Sequence, residues 1–148
     1  MPGRIACLAL LQFAGVFAAE IADSDETLAA AQALLLWQVS THKISPDSSM
    51  HFSVSVDGHD LPPAAVEAMR RRTGITFAPG SAFVPENGAT VGNFWNIGIG
   101  KPTPRSDGDY DLTWGYYCGM LCASGNTATL HHDATGWHVV ESRMHWVS

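Results

Sequence analysis

The chain opens with a short apolar stretch that carries no charge. Arg4 precedes it, residues 5–19 are almost wholly apolar, and acidic sequence begins at Glu20. The stretch is shorter than the ~20 residues that a helix needs to cross a bilayer, and Ala18 is the kind of small residue found before a cleavage point. The pattern predicts an export signal over residues 1–18 and a single mature domain over residues 19–148. The same pattern also fits a short buried N-terminal helix.

The next segment has apolar residues at helical spacing and no Gly or Pro between Asp23 and Val39. Asp23, with Glu26 three residues later, resembles a capping box at the start of a helix. The predicted apolar stripe consists of Leu28, Ala31, Leu35, Leu36 and Val39. Because the stripe is wide and continuous, this segment is predicted to be the longest helix and to cover a sheet.

Strict alternation follows the helix. Phe52, Val54 and Val56 alternate with polar residues, which predicts a strand with one face in the core and one in water. Beyond it, Asp60 is predicted to cap a short second helix. That helix has prolines in its first turn and stops at Gly74.

The rest of the chain is predicted to be mostly strand. The predicted strands are Ile75–Phe77, Asn93–Lys101, Tyr110–Cys118, Thr127–Asp133 and Trp137–Val147. Residues 133–136 between the last two have hairpin-turn chemistry. Consecutive strands with short links form an antiparallel meander, which needs the long helix to cover its apolar face. The predicted class is α+β, a long N-terminal helix packed on an antiparallel sheet, with a short second helix between strands.

Two cysteines remain in the predicted mature chain, Cys118 and Cys122. In a straight strand they would lie about 13 Å apart, too far for a bridge, whereas a hairpin with residues 119–121 as its loop brings them together. Export to an oxidising compartment favours a disulfide. The alternatives are a redox pair, whose usual spacing has two intervening residues, and a zinc site, which would need two further ligands.

The histidines of the last hairpin permit a metal hypothesis. If residues 133–136 form a four-residue loop, His131 pairs with His138 across the strands and Asp133 projects to the same face. Two imidazoles and a carboxylate are suitable ligands for zinc or copper. A three-residue loop would pair His132 with His138 instead, and both would then be ordinary exposed residues.

Charge and motifs exclude several classes of function. The net charge is −6 and no basic patch for a phosphate backbone appears, so nucleic acid is not an expected partner. The alternating Asp107, Asp109 and Asp111 lack the glycine and glutamate of a calcium loop. No second long apolar run follows the leader, so no membrane span is expected in the mature chain, and no motif implies a cofactor.

The C-terminal third resembles a group of small exported bacterial proteins without assigned function. The resemblance is carried by a Tyr-Tyr-Cys-Gly-x-Leu-Cys segment over residues 116–122, a Gly-Trp-x-Val segment over residues 136–139, and the ending Trp-Val-Ser. It implies a helix on a curved antiparallel sheet, broadly like cystatin or NTF2-type folds. The Gln-x-Val-x-Gly loop of cystatins is absent, so the resemblance brings no inhibitory or catalytic residues.

These observations favour a non-enzymatic exported module, periplasmic or secreted, that binds a protein or small ligand through one face of its sheet. Tyr117, on the face opposite the predicted core, is a candidate for that surface, together with His131, His138 and Asp133. The alternative is a small enzyme or metal-dependent protein that uses the same two histidines and Asp133.

Overall fold

The structure is a computed structural model that describes residues 10–83, 94–119 and 121–148, with side chains from residue 24 onward. The first part of the predicted leader and Asn93, the first residue of one predicted strand, lie outside these residues. The described chain forms two α-helices, a short 3₁₀ turn at Gly80–Ala82 and seven strands. The elements are α1 (Leu10–Thr41), β1 (His51–Val56), β2 (His59–Asp60), α2 (Pro63–Thr73), β3 (Phe77–Pro79), β4 (Phe94–Pro104), β5 (Tyr110–Gly119), β6 (Cys122–Asp133) and β7 (Gly136–Val147).

The seven strands form one open sheet in the order β2-β1-β4-β5-β6-β7, with β3 also paired to β1. β4 to β7 are antiparallel neighbours, which confirms the predicted meander. The predicted antiparallel sheet is confirmed for most strand pairs, but β1 pairs in parallel with both β3 and β4. The physical reason is α2, whose crossover returns the chain to the sheet in its original direction at β3. The fold class is therefore α+β, with a mostly antiparallel sheet.

The long helix α1 begins at Leu10, so the predicted start at Asp23 is wrong. The alanine- and leucine-rich sequence on both sides of Asp23 favours helix, and the backbone runs through that position without a cap. Glu26 does not complete a capping box, since its Oε2 accepts a hydrogen bond from Trp137 Nε1 at 2.9 Å. The buried stripe of α1 consists of Thr27, Ala30, Ala31, Leu34, Leu35 and Gln38. It follows helical spacing but has a polar residue at each end.

The second helix ends as predicted, at Gly74, whose φ of 74° is the left-handed conformation that glycine adopts readily. The predicted cap at Asp60 is wrong. The carboxylate of Asp60 accepts hydrogen bonds from Ser81 N at 2.8 Å and from Ser81 Oγ at 2.5 Å. Pro62 takes the N-cap position without a side-chain hydrogen bond, so Asp60 secures the 3₁₀ turn instead.

The core lies between the two helices and one face of the sheet. It is built from Leu34 and Leu35 of α1, Met69 of α2, and apolar residues of the strands such as Val54, Leu112 and Leu130. β1 departs from the predicted half-exposed pattern, because Ser53 is fully buried and donates a hydrogen bond from Oγ to Asn96 Oδ1 at 2.9 Å. A central strand has neighbours on both sides, and the 3₁₀ turn packs against it. Across the described residues, none of the helices combines the length and apolar character of a membrane span.

Candidate functional site

A cavity of about 470 Å³ lies between the C-terminal end of α1 and the helix-covered face of the sheet. We call it the helix-side cavity. Its aromatic walls are Trp37 of α1, Phe52 of β1, Trp95 of β4, and Trp114 and Tyr116 of β5. Small-molecule sites in proteins typically have volumes of roughly 300–1,000 Å³ and mostly apolar walls. The volume and lining of this cavity are thus those of a ligand site.

The strand pattern places these aromatic rings together. Residues two apart on β4 and β5 point to the same face, and the register pairs Ile97 with Tyr116 and Ile99 with Trp114. The rings of Trp95 and Tyr116 pack with centroids 4.6 Å apart. Since the rings already contact one another, the wall is formed before any occupant arrives, which lowers the entropic cost of binding.

Two polar side chains of the cavity wall donate hydrogen bonds to neighbouring serines. Trp114 Nε1 donates to Ser142 Oγ at 3.1 Å, and Asn126 Nδ2 donates to Ser124 Oγ at 2.8 Å. The lining contains no Lys, Arg, Asp or Glu among the described residues, and His42 is its one histidine there. The cavity therefore lacks the charged groups that would compensate for burying an ionic ligand.

Gln38 differs from these two side chains, because its amide nitrogen is buried without a hydrogen-bond partner among the described residues. It lines the cavity and is only 9% exposed, yet its Nε2 has no hydrogen-bond partner among the described residues. Thr27 Oγ1, at the other end of the buried stripe, is the other such atom in that part of the chain. A buried donor without a partner costs about 1–3 kcal/mol of folding free energy. The terminal torsion of glutamine is soft, so the amide can turn its N–H toward an acceptor in the cavity at little cost.

The predicted histidine pair forms, but it does not converge on a shared site. His131 lies opposite His138, which confirms the four-residue loop over the three-residue alternative. His131 Nδ1 lies 2.8 Å from Asp109 Oδ1, whereas His138 Nε2 lies 3.3 Å from Asp133 Oδ1. Each imidazole is thus bound to a different carboxylate. Among the described residues, no group of three or more His, Cys, Asp or Glu side chains is arranged to hold a metal ion.

Hydrogen bonds around these histidines shift two pKa values. The hydrogen bond with Asp109 raises the pKa of His131 above its ordinary value of 6.5. The carboxyl of Asp133 accepts hydrogen bonds from the Thr135 hydroxyl and backbone N–H, which lower its pKa to about 2. Asp133 is therefore a turn residue that holds the β6–β7 hairpin.

The remaining predicted residues lie away from the helix-side cavity. The Cys118–Cys122 disulfide is present, with its Cα atoms 5.1 Å apart across the β5–β6 hairpin. Tyr117 is half-buried on the opposite face of the sheet from Tyr116. Its ring packs edge-to-face with that of Phe83, with the ring centroids 5.8 Å apart. On that face a more open groove of about 440 Å³ runs over Gly98, Gly100 and Gly125.

None of Trp95, Trp114, Tyr116 and Gln38 was predicted from the sequence to be a site residue. The signal for Gln38 was present, because it falls three and four residues after Leu35 and Leu34, at a core-facing position where an apolar residue is expected. Comparison with known proteins gives no match to a family model, a curated protein or a solved structure.

Proposed function

We propose that this protein is a non-enzymatic binding module that holds a small, neutral, largely apolar ligand in the helix-side cavity. The proposal rests on Gln38, which lies at the edge of the aromatic cavity. Its buried Nε2 has no hydrogen-bond partner among the described residues. Buried polar groups are normally satisfied, and an exception calls for a partner. A ligand with an acceptor oxygen supplies one.

The lining defines the chemical class of the ligand. Three tryptophans and a tyrosine favour a flat ring system, because aromatic rings bind other rings through offset or edge-on contacts. The absence of carboxylate, ammonium and guanidinium groups from the described lining favours a neutral molecule. The donor on Gln38 favours a carbonyl oxygen. The proposed ligand is a flat aromatic or conjugated molecule with one carbonyl group.

The test uses a pair of fluorescent dyes that differ by this group. Prodan is a neutral naphthalene with a propionyl carbonyl and a dimethylamino group, and 2-dimethylaminonaphthalene lacks the carbonyl. Both dyes are titrated into the wild type, a Gln38→Leu variant and a Gln32→Leu variant. Gln32 lies on the same helix but outside the lining, so Gln32→Leu is a matched control.

We expect both dyes to bind the wild type saturably and to shift their emission to the blue in the apolar cavity. Gln38→Leu should weaken Prodan about 3- to 10-fold, the worth of one net hydrogen bond, and leave the second dye unchanged. Gln32→Leu should change neither dye. Absence of saturable binding by the wild type would contradict the proposal. Equal effects of Gln38→Leu and Gln32→Leu on Prodan would show that Gln38 does not donate a hydrogen bond to the ligand.

The proposal also places the module outside the cytoplasm, in the periplasm or the medium. The disulfide supports this location, because such bonds persist in oxidising compartments. The predicted leader over residues 1–18, in which Arg4 is followed by an apolar stretch without charge, supports it independently.

A further inference from the structure

The last strand, β7, is a free edge with exposed apolar side chains. It ends the sheet and has 12 residues, all its ladder bonds going to β6. Among the described residues, the exposed large hydrophobic side chains other than Leu121 all lie on this strand. They are Val140, Met144, Trp146 and Val147, each more than half exposed. A long edge with unpaired backbone groups is a template for pairing with another strand.

The central part of β7 is regular. Its register against β6 shifts at Val140 and again at His145, whereas residues 141–144 pair without interruption. Within this regular part, Glu141 and Arg143 lie two residues apart on one face and form an exposed ion pair at 3.1 Å. Charged side chains often protect such edges from pairing. This edge carries both signs, side by side.

We propose that two copies of this chain associate through β7, antiparallel about a two-fold axis at Ser142. In that register Glu141 lies opposite Arg143 of the second copy, and the symmetry repeats the pair. Val140 and Met144 are the next pair outward, with Val140 at the position where the register against β6 shifts. The segment Val-Glu-Ser-Arg-Met is therefore complementary to itself when reversed, as an isologous interface requires. Cross-strand pairs of opposite charge and of apolar side chains stabilise sheets.

The symmetry identifies the occupant as a second copy. A second copy of the chain necessarily presents Arg143 and Glu141 at the matching positions when the strand is reversed, so self-pairing requires no other partner. The association would join the two sheets into one and cover part of the apolar surface on β7. Ser142 and Met144 also line the helix-side cavity, but the proposed pairing uses the backbone edge of β7 and the charges of Glu141 and Arg143, which do not line it.

The experiment is a charge exchange on the edge, read by analytical ultracentrifugation from about 1 to 200 μM. The wild type should dimerise in this range. Glu141→Arg or Arg143→Glu alone should weaken dimerisation about tenfold or more, because each variant replaces two attractive pairs by two repulsive ones. The double variant Glu141→Arg, Arg143→Glu should restore the wild-type dimer.

The most specific test is to mix the two single variants. The Glu141→Arg variant is wholly positive on this stretch and the Arg143→Glu variant wholly negative, so equal amounts of the two should form a heterodimer that neither forms with itself. Glu67→Arg on α2 is the matched control, since it makes the same charge change at an exposed ion pair far from the edge. Circular dichroism checks the fold of each variant.

A wild type that remains monomeric at 200 μM would overturn the proposal. So would failure of either rescue, or an equal loss of dimer in Glu67→Arg. A dimer whose affinity is the same in the wild type and in the charge variants of β7 would show that association uses another surface.

Discussion

At the scale of single residues, His131 contacts a carboxylate that is distant in the sequence. Its ring lies against Asp109, 22 residues earlier, because β5 and β6 bring Tyr110 opposite Leu130 at that end of the sheet. The carboxylate favours the protonated imidazole, so the pKa of His131 is raised above its ordinary value. By linkage, the stability that the pair contributes is complete at pH values below about 6.5. It is lost as the pH rises through the raised pKa of the folded state.

This coupling can be measured by a ring-proton NMR titration of the histidines. His131 should titrate above pH 6.5 in the wild type, and Asp109→Asn should lower its midpoint toward the ordinary value, because the amide carries no charge. The matched control is Asp47→Asn, which removes an exposed carboxylate in the turn after α1. A His131 midpoint that is unchanged in Asp109→Asn would contradict the contact.

At the scale of elements, the two C-terminal hairpins are stabilised by local features. The Cys118–Cys122 bridge closes the β5–β6 hairpin, and Asp133 closes the β6–β7 turn through Thr135. Both features lie where the chain reverses. The ladder between β6 and β7 then runs from Asp133 and Gly136 to Ser124 and Val147 with two bulges. Local closure therefore sets the register at each end of β6.

Removal of the bridge tests how much the first hairpin depends on it. A Cys118→Ser, Cys122→Ser double variant should fold and lose at most about 2 kcal/mol of stability, because the closed loop has only five residues and constrains the unfolded chain little. The melting temperature should fall by several degrees, to about that of the reduced wild type. Two titratable thiols in the native exported protein would contradict the bridge. Complete unfolding of the double variant would show that the core depends on it.

At the scale of the whole molecule, α1 packs closely on the sheet over part of its length and leaves a cavity near its C-terminal end. Ala30 and Ala31 pack fully buried in the middle of α1, whereas Trp37 and Gln38 near its end face the aromatic cavity. A cut after Ala18 would fall inside α1 and leave Ser24–Thr41, the part whose side chains form these contacts. The domain that carries the cavity is thus retained in the proposed mature chain.

Intact-mass measurement on protein recovered from the periplasm or medium tests the leader. We expect a chain that begins at about Ala19, because signal peptidase removes a short apolar leader, with a mass lower by two hydrogen atoms for the closed disulfide. Mass measured after expression without export, where the leader is not processed, is the control. A soluble exported product that still carries residues 1–18 would contradict the assignment.

Local signals predicted the elements that local chemistry controls. Prolines at the start of α2 and Gly74 at its end marked that helix, and alternation with a turn at residues 133–136 predicted the last hairpin. The sequence left two registers open for this hairpin, and the structure has the one that pairs His131 with His138. The same holds for the bridge, whose geometry needs only a reversal between Cys118 and Cys122. In each case the determining residues lie within a few positions of one another.

The tertiary structure decided what depends on distant neighbours. Whether β1 pairs in parallel with β4, and whether Ser53 is buried, depends on which strand lies beside it, since alternation specifies a face and not a neighbour. The choice of Asp109 as the partner of His131 has the same origin. Gln38 lies in the buried stripe by its spacing, but only the packing of α1 over the sheet leaves its amide nitrogen without a partner beside an open cavity.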